Sequence, residues 1–175
     1  LEFRRVLFRS FFPEVDAGQL RLHMRAPTGT RIEETARLAD QTEQAIRELI
    51  PADQLDAVLD NIGMTISSMN TAYNNAGTFG STDCEILISL KAGHAPTSTH
   101  IDILRAELPK RFPGTEFYFQ PADIVSQILN FGAQAPIDIQ FAGKDMNASY
   151  ALAKKLIKKI EAIPGTVDVR IHQKL

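Results

Sequence analysis

Hydrophobic and polar positions alternate with a period of two in several short stretches of the chain and with a helical period in three longer ones. Leu20, Leu22 and Met24 share one face of a strand predicted over about 19–25, which Pro27-Thr28-Gly29 ends. A helix follows, with Thr30 as N-cap and Glu33 three residues on to complete a capping box. Ile32, Ala36, Ala39, Ile46 and Ile50 supply its apolar stripe, and Pro51 closes it. The next strand, about 54–61, sets Leu55, Ala57 and Leu59 on one side. A further strand over 83–91 sets Cys84, Ile86, Ile88 and Leu90 inward. After the turn His94-Ala95-Pro96-Thr97, Ser98 or Thr99 caps a second helix that carries Ile101, Leu104 and Leu108, and Pro109 and Pro113-Gly114 end it. A strand over 115–120 places Phe117 and Phe119 on one face and Tyr118 on the other. The order β-α-β-β-α-β predicts an α+β fold, a ferredoxin-like split sandwich.

Residues 121–132 read as an apolar-rich connector, which closes a first domain of 11–132. Over 133–175 the same alternation begins again. Ile137, Ile139 and Phe141 suggest a strand, and Asp145 or Asn147 caps a helix with Tyr150, Ala153, Leu156, Ile157, Ile160 and Ile163 on its apolar face. Val167, Val169 and Ile171 suggest another strand. This is β-α-β, the first half of a second ferredoxin-like domain. A half cannot cover its own sheet face, so later chain is expected to supply the rest.

Between the second and third strands, Gly63 to Gly80 has no amphipathic period but carries Asn70, Asn74, Asn75 and the glycines Gly63, Gly77 and Gly80. Connections this long in compact domains are uncommon and tend to be functional. The loop is read as the functional element and the rest as its scaffold. A bulky residue such as tryptophan at Gly63 is then expected to impair function while sparing the fold.

Composition narrows the classes. The 175 residues are 44% hydrophobic and 23% charged, near globular averages. A net charge of -2 leaves no basic footprint, so nucleic acid is not an expected partner. No apolar run approaches the roughly 18 residues that a bilayer span requires. One cysteine excludes an internal disulfide and a multi-cysteine zinc site.

Candidate chemistry is sparse. No nucleophile elbow, phosphate-binding glycine loop or convincing carboxylate pair is present, so no enzyme activity and no cofactor are expected. Arg25 before Pro27-Thr28-Gly29 is the nearest match to an acylphosphatase-like arginine, on analogy of fold alone. Met64 and Met69, with Met24, could offer soft thioethers to a metal ion, but gap-filling packing explains methionine better. His94 and His100 lack further ligands, so no metal site is assigned. Cys84 reads as a buried hydrophobe, and Lys154, Lys155, Lys158 and Lys159 as a solvated helix face.

Residues 1–10, LEFRRVLFRS, sustain no periodicity and resemble the in-frame translation of a short-read sequencing adapter; they are set aside as a non-native scar. From 11 to 173 the chain resembles the resistance-nodulation-division (RND) efflux permeases. The landmarks are FFPEVDAGQ at 11–19, RAPTGTRIEET at 25–35, NIG at 61–63, EILISLKAGH at 85–94, RFPGTEFYFQPADIVSQILNFGAQAPIDIQFAG at 111–143 and AIPGTVDV at 162–169.

The resemblance implies a periplasmic porter region: one complete subdomain and the first half of the next. In such pumps the cleft between the two admits substrate, and a glycine-rich loop gates it. Carried over by position, the gating loop falls on Gly63, Gly77 and Gly80, and the substrate-lining positions on Leu59, Met64, Ile66 and Leu87. Met64 and Ile66 stand where multidrug members tend to carry phenylalanine. The implied function is export of apolar or amphiphilic compounds at the periplasmic face of the inner membrane, driven by protons. The implied partners are the rest of the permease, a homotrimer of it, a periplasmic adaptor and an outer-membrane channel. A heavy-metal porter or a free-standing ferredoxin-like binding module are the alternatives.

Overall fold

A computed structural model describes residues 16–64, 80–122 and 135–172. The chain divides into two compact units, Leu1–Pro136 and Ile137–Leu175. In the first, β1 (Gln19–Arg25), α1 (Ile32–Leu49), β2 (Leu55–Ile62), β3 (Asp83–Leu90), α2 (Thr97–Arg111) and β4 (Glu116–Gln120) follow in the expected order. The strands form one sheet in the order β2-β3-β1-β4, antiparallel at every pairing. This is the split sandwich, with β1 and β3 at its centre.

One sheet face carries the helices. Leu20, Leu22 and Met24 of β1 lie beside Cys84, Ile86, Ile88 and Leu90 of β3, and all are buried with Ala39, Ala45 and Ile46 of α1 and Leu104 and Leu108 of α2. The stripe of α1 differs from the expected one. Ile32 is 45% exposed, whereas Thr35 and Thr42 are fully buried. Each threonine keeps its hydroxyl satisfied inside its own helix, Thr35 Oγ1 donating to the Arg31 carbonyl and Thr42 Oγ1 to the Leu38 carbonyl. With that bond made, the methyl packs as an apolar group. Thr42 also lies 3.4 Å from the Met24 sulfur, so Met24 is a core filler.

Both expected caps are corrected. The first helix is capped at Arg31 without a side-chain bond, because the Thr30 hydroxyl turns back to the Pro27 carbonyl. At α2 the position before the helix is Pro96, which offers no side-chain acceptor. The acceptor comes instead from a distant residue: Asp16 Oδ2 takes the Thr97 N–H at 2.9 Å while its Oδ1 takes the Gly18 N–H. Burial pushes the Asp16 pKa up, but these backbone donors outweigh it, and the carboxyl titrates below its ordinary value. The second helix runs through Pro109 to Arg111, ending before Pro113-Gly114, with the Phe112 N–H bonded to the Leu108 carbonyl at its end.

A further correction concerns β2. A bulge between Leu55 and Ala57 shifts its register against β3. Leu55, Val58, Asp60 and Ile62 consequently pair with helix-facing residues of β3, while Ala57 and Leu59 move to the opposite face. Asp60 is thereby turned toward Glu43 of α1, whose carboxyl is pushed up by burial and by the Asp60 charge.

The second unit holds α3 (Met146–Glu161), capped by Asp145, whose side chain accepts from the Ala148 N–H at 3.0 Å. The expected flanking strands form no ladder among the described residues. The first unit supplies the reason. There β1 and β2 never touch, because β3 lies between them. A β-α-β segment of this topology therefore has no strand pair of its own. Ile137, Ile139 and Val167 remain exposed. No helix among the described residues is long and apolar enough to cross a membrane.

Truncating Ile46 to alanine is expected to cost about 3 kcal/mol, and truncating exposed Ile32 less than about 1 kcal/mol, read as urea midpoints. Asp16→Ala should cost about 1 kcal/mol as a lost cap. Because the folded pKa of Asp16 is depressed, that contribution is present above the unfolded carboxylate pKa and fades as pH falls through the folded one. The wild-type and variant denaturation curves should converge in acid.

Candidate functional site

The sheet face away from the helices is built by the alternate residues of the same strands. Its β1–β3–β4 portion is polar yet buried: His23, Arg25, Asp83, Glu85, Tyr118 and Gln120 are all nearly inaccessible. Charges at such positions need partners, and they have them. Arg21 donates to Glu85. Asp83 Oδ1 accepts from Arg25 Nε at 2.6 Å and lies 3.0 Å from His23 Nε2. The His23 ring stacks on Tyr118 at 4.5 Å between centroids, an arrangement set by the β1–β4 register that makes them neighbours.

Toward the β2 edge the same face becomes apolar and open. Leu59 and Leu87, two of the four expected lining residues, are direct cross-strand partners, 64% and 38% exposed. The bulge in β2 is what turns Leu59 to this side. Met64, just past the end of β2, is 57% exposed. Ile66 and Gly77 lie outside the described residues.

The glycines at the ends of the β2–β3 connection behave differently from each other. Gly63 is buried at φ +76°, its N–H donates to the Asp83 carbonyl at 2.8 Å, and a Cβ there would sit 3.1 Å from Ile32 Cδ1. Only glycine takes that backbone without strain. The expectation that a bulky residue at 63 spares the fold is therefore overturned. Gly80 accepts the Asp83 N–H at 3.2 Å through its carbonyl and has open space around its Cα.

The remaining candidates resolve toward packing. Cys84 is buried, and burial, with the Asp60 charge adding, pushes its thiol pKa up to about 12, so it is protonated and unreactive at neutral pH. His100 Nε2 lies 3.0 Å from Gln54 Oε1, which also accepts the Ala95 N–H. His94 Nδ1 is 2.7 Å from the Ala95 carbonyl. No group of three or more His, Cys, Asp or Glu side chains able to hold a metal occurs among the described residues. Phe117 and Phe119 pack against the helix-side core. An open groove of about 520 Å³ on the helical side, lined in part by Leu38, Glu48, Arg111 and Phe112, contains none of the expected site residues. Sequence reasoning missed the polar network on the outer face. Its signal is present in the charged residues of β1 and β3, Arg21, His23 and Arg25 against Asp83 and Glu85, which alternate with the apolar positions of the same strands.

The profile of the AcrB/AcrD/AcrF family matches residues 5–175. Protein HelA of Legionella pneumophila is 24% identical over 166 residues, covering 93% of this chain and 15% of that protein. The cobalt-zinc-cadmium resistance protein CzcA of Cupriavidus metallidurans is 22% identical over 167 residues, again covering 93% and 15%. The chain thus spans about 15% of the length of these curated relatives. A crystal structure of a heavy metal efflux pump superposes with a TM-score of 0.71 at 18% identity, covering 89% of this chain and 16% of that one.

Gly63→Ala should destabilise the chain by about 1–2 kcal/mol, the cost of a left-handed backbone for an L-residue. Gly80→Ala should stay within about 0.5 kcal/mol of the parent. Paired chemical denaturation of the two variants reads the difference.

Proposed function

Because the chain belongs to the AcrB/AcrD/AcrF family, matched from residue 5 to residue 175, we propose that it is the periplasmic porter part of an RND efflux permease. The observation that carries a role in substrate contact is the cross-strand pair Leu59–Leu87, exposed on the sheet face opposite the helices with exposed Met64 near its end. Apolar side chains in such a position gain by covering an apolar or amphiphilic molecule, about 25 cal/mol per Å² removed from water. Met64 adds an adaptable thioether, and Ile66 continues the apolar character in sequence. The whole pump, on this reading, sits in the inner membrane as a homotrimer. It works with a periplasmic adaptor and an outer-membrane channel, and proton flux through membrane helices outside this chain drives it. Embedding in a larger protein is favoured over a free-standing binding module because the matched relatives are several times longer than this chain.

A second reading, export of heavy-metal cations, is favoured by what the relatives are called: a cobalt-zinc-cadmium resistance protein and a heavy metal efflux pump. Of the methionines that could serve soft ions, Met64 is exposed and Met24 is enclosed in the core. The apolar pair favours the first reading.

The test is export by the full-length permease in a bacterial host deleted for its own efflux pumps, challenged with amphiphilic dyes and detergents and, separately, with zinc, cobalt and cadmium salts. Leu59→Asp with Leu87→Asp is expected to weaken protection against amphiphiles roughly tenfold, the equivalent of about 1.4 kcal/mol of binding. Protection against metal salts alone, unchanged by the two substitutions, would establish the second reading instead.

A further inference from the structure

The β2–β3 connection leaves the sheet at Gly63 and re-enters it at Gly80, and one residue touches both ends. The Asp83 carbonyl accepts the Gly63 N–H, and the Asp83 N–H donates to the Gly80 carbonyl. Its side chain points to the outer face, where Oδ1 is held by Arg25 Nε and His23 Nε2 of the neighbouring strand β1. The carboxylate is almost fully buried, as are both partners. The partners are fixed in turn: His23 is stacked on Tyr118 of β4, and the Ala26 N–H donates to the Thr82 carbonyl beside the network. We propose that Asp83 is the positioning residue of the candidate site, clamping both ends of the β2–β3 connection to β1 and so fixing where Met64 stands relative to the Leu59–Leu87 pair.

Two features separate this from general stabilisation. The core on the helix side supplies ample burial for β1 and β3 without any charge on the other face. The network sits at one end of the sheet only. At the other end, the Leu90 N–H donates to the Gly18 carbonyl and the Lys91 N–H to the Gln54 carbonyl, and the carboxylate there, Asp16, is exposed and accepts the Gly18 N–H. A buried carboxylate held by fixed donors is costly to disturb and has essentially one geometry. That suits a clamp better than a surface contact. The functional meaning given to the clamp rests on the reading of Leu59, Leu87 and Met64 as substrate contacts; the clamp itself does not.

The experiment is residue-resolved amide hydrogen exchange by NMR on the complete 175-residue chain, comparing the parent with Asp83→Asn. Exchange at Gly63 and at position 83 is expected to accelerate at least about tenfold, with Leu90 and Lys91 changing less than about twofold, because opening is local to the clamped end. Uniform acceleration at all four positions would show a purely fold-wide role and overturn the proposal, as would no change at Gly63. Should Asp83→Asn fail to fold, Arg25→Gln decides. It removes the Arg25 donor and keeps the His23 contact, and the same local pattern, smaller in size, is required of it. No substrate is present in the experiment, so its result stands whether or not the export reading survives.

Discussion

The structure depends on the pairing of β1 with β3, two strands far apart in the chain, with α1 and β2 between them, and placed side by side at the centre of the sheet. The helix-side face of this pair is buried, and so are His23, Arg25, Asp83 and Glu85 on the other. On the helix side Leu20, Leu22 and Met24 meet Cys84, Ile86 and Ile88; on the other, Arg21, His23 and Arg25 meet Glu85 and Asp83. The apolar side supplies the driving force, since hydrophobic burial scales with area and is indifferent to register. The charged side supplies the register. A slip by one residue would turn every side chain to the wrong face, and breaking one buried charge pair costs about 3–5 kcal/mol, because the remaining charge is left without its partner.

That division explains what could be read from the chain. The alternation in β1 and β3 exposed their apolar face directly, and spacing placed Ala39 and Ile46 of α1 and Leu104 and Leu108 of α2 on their buried faces. The order of elements then limited the topology to the observed one. Much of what escaped depended on a partner outside the local pattern of apolar positions. The cap of α2 comes from Asp16, which no local pattern near residue 97 announces. Buried Thr35 and Thr42 look polar in sequence and become apolar in effect only once their hydroxyls bond the preceding turn. His23, Arg25 and Asp83 look like solvent-facing residues until β1 and β3 are laid beside each other.

The second unit shows the same distinction from the other side. Its helix forms with the expected Asp145 cap because helix bonds and caps are local. Its apolar runs at 137–141 and 167–171 carry clear strand alternation yet form no ladder among the described residues. In the first unit the strands flanking α1 are likewise not neighbours; both are paired with β3, which comes later in the chain. Strand pattern therefore states a capacity to pair, and the topology decides whether a partner is at hand. Exposed Ile137, Ile139 and Val167 mark that unmet capacity.

The bulge in β2 ties fold to function most directly. Read as an unbroken strand, 55–61 sends Leu55, Ala57 and Leu59 to one face. The extra residue between Leu55 and Ala57 splits that set, keeping Leu55 against the core and turning Leu59 outward to meet Leu87. Val58 and Ile62 take over the inward positions, so the core loses little. Asp60 is carried inward with them toward Glu43, whose carboxyl burial and the Asp60 charge push up, an unfavourable arrangement for Glu43. Packing alone gives no reason to accept that cost, since the unbulged strand would hide Leu59 and expose Asp60. Bulges are over-represented where a side chain must be re-aimed at a site. Here the gain is an apolar pair on the open face, next to the point where the β2–β3 connection leaves the sheet. The local sacrifice and the exposed leucines are two sides of one feature, which is what supports the proposal of substrate contact at the outer edge of β2.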